Sequence, residues 1–186
     1  SLGLAYGWVW GGDDRQTPDP AAGHWTQVIA QGRSIAVVQE TGWELWREEL
    51  PEFHPLVWLQ AADLEPATIG GPGSDWAAVL WISDRRPPQD LPMPVLAWHP
   101  RTLWIGVGCQ RGTSAQLIER AIRETCQAQG WAEAAIAGLA SIDRKVDEGG
   151  LLAMAAAHGW PIRWYGADRL RSIAVLSLIH ISEPTR

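Results

Sequence analysis

The feature of this sequence that most limits its fold is a regular alternation of short apolar runs and longer segments after residue 100. The runs are β-prone and have the length of strands, and they lie at 102–108, 135–142 and 161–165. The segments between them have the length of helices, 113–129 and 150–158, and each is followed by a glycine that can end a helix. Strands that alternate with helices predict an α/β domain, here a parallel βαβαβ sheet.

The first half of the chain has a less regular pattern. It predicts strands at 34–39, 56–60 and 77–83, and a helix that Thr41 caps and Pro51 stops. Four prolines lie between Arg85 and Pro94, which is typical of a stiff linker. We therefore expect two small lobes, a central α/β region over 1–94 and a C-terminal α/β domain over 95–175.

Both ends of the chain look foreign or incomplete. The last eleven residues, 176–186, read like one translated frame of a common sequencing adapter, and the chain begins with Ser1 instead of Met. We expect 176–186 to be an artefact outside the fold, and the C-terminal domain to be truncated.

A glycine-rich loop follows the first strand of the C-terminal domain. Gly108 and Gly112 allow a tight turn, and Thr113 with Gln116 has the form of a capping box that opens a helix. Backbone N–H groups at a helix start favour anions, and Arg111 adds a forked cation. The loop is therefore a candidate site for a carboxylate or a phosphate.

A second polar group follows the next strand, where Asp143, Lys145, Asp147 and Glu148 fall within six residues. A carboxylate here could act as a general base and Lys145 could hold an anionic substrate, although a solvated loop has the same composition. Because the carboxyl ends of parallel strands share one edge of a sheet, we expect this group and the glycine loop to lie together.

Other kinds of site have weaker signals. Cys109 lies at a turn before a helix, where Arg111 and the helix dipole would favour a thiolate, but we expect a small half-buried turn residue instead. The histidines lack the spacing of metal ligands, which predicts no protein-held metal. The glycines run Gly106-x-Gly-x-x-x-Gly112, one residue longer than the dinucleotide fingerprint, so we expect no nicotinamide site.

Composition excludes several classes of function. The formal charge of −6 argues against nucleic-acid binding, and no apolar run approaches the ~20 residues of a membrane span. Two cysteines are too few for a disulfide framework, so a reducing cytoplasm is the expected compartment. The thirteen tryptophans have two interpretations, core packing and aromatic ligand platforms.

Two motifs at a fixed separation carry a family resemblance. They are Gly106-Val-Gly-Cys-Gln-Arg-Gly-Thr113 and Ser141-Ile-Asp-Arg-Lys-Val-Asp-Glu148, the second followed by Gly150-Leu-Leu. Together they resemble the C-terminal domain of the cobalt-precorrin-5A hydrolases, the CbiG family of anaerobic cobalamin biosynthesis. Residues 37–46 and 50–55 are similar to the family's central region. The resemblance covers most of 25–175, and the N-terminal domain of complete members has no counterpart here.

The resemblance implies a hydrolase that opens the ring-A δ-lactone of cobalt-precorrin-5A and releases acetaldehyde. It also implies site roles: catalytic carboxylates among Asp143, Asp147 and Glu148, and substrate contacts from Cys109, Arg111, Gly112, Thr113 and Lys145. No cofactor is expected, because the substrate carries its own cobalt. Implied partners are the cobalt-precorrin, other cobalamin-biosynthesis enzymes and a fused methyltransferase, with a homodimer left open. The alternative is a domain that binds a corrinoid intermediate without catalysis.

Overall fold

The computed structural model describes residues 33–64 and 76–172, and the chain divides into two compact units between Pro100 and Arg101. The predictions for 1–32, 65–75 and 173–186, which include the adapter-like end, lie outside the described residues. The boundary falls later than the predicted one near residue 95. The reason is that Val95–Trp98 pairs with the strand before it and so belongs to the first unit.

The first unit contains one parallel sheet. Its strands are β1 (Ser34–Gln39), β2 (Leu56–Trp58), β3 (Trp76–Ile82) and β4 (Val95–Trp98), and their order across the sheet is β2-β1-β3-β4. Successive residues of a strand point to opposite faces, and here both faces are covered by apolar side chains. Ile35 and Val37 pack in one cluster, and Ala36 and Val38 pack in the other.

The helix predicted after Thr41 is wrong, because only a single 3-10 turn forms, Leu45–Arg47. The side chain of Gln39 competes with helical hydrogen bonds in this segment. Its Nε2 donates to the carbonyls of Thr41 and Trp43 at 3.3 and 3.1 Å, and its Oε1 accepts from Trp46 Nε1 at 3.1 Å. The proline-rich stretch 85–94 likewise does not join two units, since it connects β3 to β4 inside the first.

The second unit is the parallel βαβαβ sheet that the alternation predicts. Its elements are β5 (Leu103–Gly106), α1 (Ala115–Gln129), β6 (Ile136–Ile142), α2 (Gly149–His158), β7 (Ile162–Tyr165) and α3 (Ala167–Arg171). The strands lie in the order β5-β6-β7, and both pairs are parallel. The predicted α/β class is therefore confirmed.

The core of the second unit forms where α1 and α2 pack against the sheet. Ile118, Ile122 and Cys126 are buried at four-residue spacing, which places them along one side of α1. They share a cluster with Leu151, Met154 and Ala155 of α2 and with Ile136 and Leu139 of β6. Both cysteines of the chain are free thiols.

The two helices approach so closely that one position must be glycine. A Cβ on Gly150, in the first turn of α2, would collide with the carbonyl oxygen of Thr113 and would lie 3.1 Å from the nitrogen of Ala115. The neighbouring Gly149 has nothing within 4 Å of the position of a Cβ. The start of α2 therefore rests directly on the loop that precedes α1.

We expect Gly150→Ala to lower the free energy of unfolding by about 1–3 kcal/mol, because the loop before α1 would have to move. Gly149→Ala is the matched control, and it should be neutral or stabilising by up to about 1 kcal/mol, since alanine is the better helix former. Urea denaturation of both variants measures the difference. Equal stability of the two variants would contradict the close approach.

Candidate functional site

The two predicted loops lie together at the carboxyl edge of the second sheet. The backbone N–H of Val107, just after β5, donates to the carbonyl of Ala140 in β6 at 2.8 Å. The hydroxyl of Ser141 donates to the carbonyl of Val107 at 2.7 Å and is buried there. These bonds hold the ends of β5 and β6 side by side, so the loops that follow, 108–114 and 143–148, begin at adjacent points.

Glu148 connects the two loops from inside. Only 3% of the residue is exposed, and its Oε1 accepts a hydrogen bond from the backbone N–H of Gly112 at 2.8 Å. Its Oε2 lies 3.3 Å from Nζ of Lys145, whose side chain is 17% exposed. A buried carboxylate is stable only with such partners. Glu148 is therefore a structural bridge, and the prediction that it is a candidate catalytic base does not fit its environment.

Arg111 and Asp147 make a second connection, on the outside. Nη1 of Arg111 donates to Oδ2 of Asp147 at 2.7 Å, and both side chains are about two-thirds exposed (65% and 64%). The hydrogen bond from Arg111 lowers the pKa of Asp147 below its usual value, and the same pair raises the pKa of Arg111. An exposed pair of this kind is weak and opens readily, so Arg111 remains accessible to an anionic ligand.

The loop before α1 differs from the predicted capping box. Ser114, and not Thr113, is the N-cap of α1, and its side chain accepts from the N–H of Leu117 at 3.3 Å. Thr113 is buried, and its hydroxyl donates to the carbonyl of Gln110 at 2.8 Å. Gly112 has φ +79°, a left-handed conformation that favours glycine. Because its N–H already binds Glu148, this amide is not available to an external anion.

Cys109 lies half-buried in the same loop. Burial raises the pKa of its thiol, the charge of Glu148 acts in the same direction, and Lys145 and a hydrogen bond with Thr113 oppose them. The net effect favours the neutral thiol, which is a poor nucleophile. This direction favours the interpretation of Cys109 as a turn residue over that of a thiolate nucleophile.

Asp143 is the carboxylate of this group that remains exposed and unpaired within the described part of the chain. It directly follows β6 and begins a 3-10 turn, Asp143–Lys145. Its Oδ2 lies 3.7 Å from the position of a Cβ on Gly166, the residue after β7. The third strand of the sheet therefore also ends beside Asp143, and the loops after β5, β6 and β7 meet at one edge.

The structure thus brings together all eight residues that the sequence singled out, but it separates their environments. Glu148 binds both Lys145 and Gly112, Arg111 binds Asp147, Cys109 and Thr113 line the loop, and Asp143 faces outward. Sequence reasoning missed Gly166 and the role of Ser141. A serine near the end of an otherwise apolar strand was the signal for Ser141, because a buried hydroxyl needs a partner.

Two negative observations concern only residues 33–64 and 76–172. No helix in these ranges is long and apolar enough to cross a bilayer. In the same ranges, no group of three or more His, Cys, Asp or Glu side chains is arranged to hold a metal ion.

Comparison with known proteins identifies relatives of the chain. Residues 103–183 match the family described as Cobalamin synthesis G C-terminus. The chain is 32% identical over 177 residues to a cobalt-precorrin-5A hydrolase of Priestia megaterium, and the alignment covers 94% of this chain and 44% of the relative. The chain therefore spans less than half the length of that curated relative. No solved structure matches it.

The geometry around Cys109 predicts opposite effects of two substitutions. Glu148→Gln removes a charge that raises the pKa of the thiol, and Lys145→Met removes one that lowers it. We expect the pH midpoint of Cys109 alkylation by iodoacetamide to fall in the first variant and to rise in the second. Mass spectrometry separates Cys109 from Cys126, which is buried and should stay unmodified. Glu124→Gln, on the exposed side of α1, is the control and should leave the midpoint unchanged. A shift of the midpoint in the same direction for Glu148→Gln and Lys145→Met would contradict the placement of these two charges beside Cys109.

Proposed function

We propose that the chain belongs to the CbiG family and that its protein is a cobalt-precorrin-5A hydrolase, on the strength of the family match and of the 32% identity to such a hydrolase. In this proposal it opens the ring-A δ-lactone of cobalt-precorrin-5A and releases a two-carbon fragment as acetaldehyde. The observation that carries the proposal is that the loops bearing Arg111, Lys145 and Asp143 lie at one edge of the sheet, inside the family-matched residues, where the Arg111–Asp147 and Gly112–Glu148 bonds join them. It is the edge of a parallel sheet at which α/β proteins bind ligands.

Asp143 is the proposed general base. Of the three candidate carboxylates, Glu148 is buried and bonded on both oxygens, and Asp147 has its pKa lowered by Arg111, which makes it a weaker proton acceptor. Asp143 is exposed and without such a partner in the described chain. It would take a proton from the water that attacks the lactone carbonyl, giving a carboxylate and a free hydroxyl. Removal of the hydroxyl proton then allows the carbon–carbon bond to break and acetaldehyde to leave.

Arg111 is the proposed anion holder. Precorrins carry acetate and propionate groups, and a guanidinium has five N–H donors, of which Asp147 takes only part. The same cation can stabilise the oxyanion that forms when water adds to the lactone. The amide of Gly112 cannot serve this purpose while it binds Glu148, so the positive charge of the side chain replaces the loop amides in this role.

The other parts of the proposal follow from the substrate. Cobalt enters as part of the cobalt-precorrin, and no other cofactor is included. Cys109, Gly112 and Thr113 form the loop beneath Arg111, and Lys145 supports it through Glu148. We also propose that the protein is cytoplasmic, that it contacts other cobalamin-biosynthesis enzymes, and that it is fused to a methyltransferase.

Asp143→Asn tests the base. Turnover should fall roughly 10²–10⁴-fold with KM little changed, because the amide keeps the shape but cannot accept a proton. The assay is acetaldehyde release from cobalt-precorrin-5A, with this sequence placed in a polypeptide of the relative's full length. Asp168→Asn, on exposed α3, is the matched control and should keep normal turnover. If Asp143→Asn keeps it as well, Asp143 is not the base; a wild type that binds the corrinoid without releasing acetaldehyde would support the binding-domain alternative.

Arg111→Ala and Asp147→Ala test the anion holder. The first removes the cation and should raise KM about tenfold, the size of one charge-assisted contact. The second releases Arg111 from its partner, so KM should fall or stay constant. Steady-state kinetics of the same full-length polypeptide measure both values. A rise in KM for both variants would indicate that the pair matters as a structural unit, and it would exclude a direct role for Arg111 alone.

A further inference from the structure

The first unit has a second polar edge that the proposed hydrolase chemistry does not use. In the order β2-β1-β3-β4, the chain leaves β1 toward one side of the sheet and leaves β3 toward the other. Right-handed crossovers place these two connections on opposite faces. The strand order therefore places a topological switch point at the carboxyl ends of β1 and β3, the position where ligands bind in open parallel sheets.

Glu40 and Ser83 follow these two strand ends. Oγ of Ser83 is fully buried and donates to Oε2 of Glu40 at 2.6 Å, while it accepts from the N–H of Arg85 at 2.9 Å. Nδ1 of His99, after β4, bonds the carbonyl of Ser83 at 2.7 Å. The Glu40 carboxylate is exposed. Its position is fixed by the hydrogen bond from the buried Ser83 hydroxyl, which the N–H of Arg85 holds in turn. A preformed acceptor of this kind needs little reordering to bind a ligand.

The Glu40 carboxylate has no cationic side chain as a partner within the described residues. Among residues 33–64 and 76–172, no Lys or Arg forms an ion pair with its carboxylate. Arg47, in the loop that follows Glu40, is already engaged, because it pairs with Glu44 at 3.2 Å and donates to Gln39 Oε1 at 3.4 Å. The edge therefore presents one negative charge that the described chain does not neutralise.

Trp43 stands in the same loop and is 80% exposed, so its indole has almost no role in packing. Its backbone is nevertheless held, since Gln39 Nε2 donates to the Trp43 carbonyl at 3.1 Å. Gly42 has φ +88° and packs against the Pro100 ring, because a Cβ on Gly42 would lie 3.1 Å from Cγ of Pro100. Between them and Glu40, the buried hydroxyl of Thr41 has no hydrogen-bond partner. The loop thus exposes an indole face and a carboxylate within four residues.

We propose that this edge of the first unit is a binding site for an organic cation, a quaternary or protonated amine, with Glu40 as the charge partner and Trp43 as the aromatic face. An indole attracts cations through its ring electrons, and a carboxylate supplies the opposite charge. Anionic ligands would be repelled by Glu40. The site lies wholly in the first unit and goes beyond the proposed hydrolysis, so either can be wrong without the other.

The test uses choline as the probe and the full chain as the protein. ¹H–¹⁵N spectra should show amide shifts confined to residues 40–43, 83–85 and 99, with a dissociation constant on the order of millimolar. 3,3-Dimethylbutanol has the same shape without the charge, and it should leave these signals unchanged at matched NaCl concentration. Equal shifts with the neutral alcohol, or choline shifts spread over the surface, would overturn the proposal.

Two variants separate the contributions, and each has a matched control. Glu40→Gln should weaken choline binding about tenfold, because Ser83 keeps an acceptor but the charge is lost. Trp43→Leu should weaken it about two- to fivefold, the size of an exposed cation–π contact. Glu52→Gln is the control for the carboxylate and Phe53→Leu the control for the aromatic ring. Both residues are exposed in the first unit, and neither change should affect choline binding. Unchanged binding in both test variants would exclude the site.

Discussion

The arrangement of the second unit depends on one buried carboxylate. Glu148 lies where α2 begins, but its side chain does not cap that helix; it crosses to the loop before α1 and binds the N–H of Gly112, 36 residues earlier. Leaving such a charge without partners would cost several kcal/mol, so the loop and the helix start must keep their relative position. The contact of Gly150 with the Thr113 carbonyl depends on the same closeness.

The hydrogen bonds of Glu148 also determine which polar groups of the two loops are already engaged within the protein. They use Lys145 and the Gly112 amide, two groups that a sequence motif would assign to an anionic ligand. The side chains of Arg111 and Asp143 stay outside the bridge and are exposed. Cys109 is affected as well, because burial and the nearby Glu148 raise the pKa of its thiol. The eight candidate residues of the two loops therefore have two kinds of environment, one inside the bridge and one exposed to solvent.

The tryptophans show how one residue type takes different roles in this fold. Trp81 is 4% exposed and packs in the first core, where its Nε1 donates to the Arg85 carbonyl. Trp104 lies over Gly138, which has no side chain to displace it, and the Arg163 guanidinium stacks 3.8 Å from its ring centroid. Trp43 is left in solvent. Core packing and ligand platforms are thus both compatible with the composition, and only the neighbours of each ring separate them.

The sequence by itself determined the alternation of strands and helices after residue 100 and the shared edge of the two loops. These follow from local periodicity and from the geometry of parallel sheets, which any chain with this pattern must obey. Tertiary structure alone decided that Ser114 caps α1, that Gln39 replaces a helix with a turn, and that Glu148 binds Gly112. The physical reason is that hydrogen bonds and ion pairs act over about 3 Å, so their partners are chosen by the folded chain and not by spacing along it.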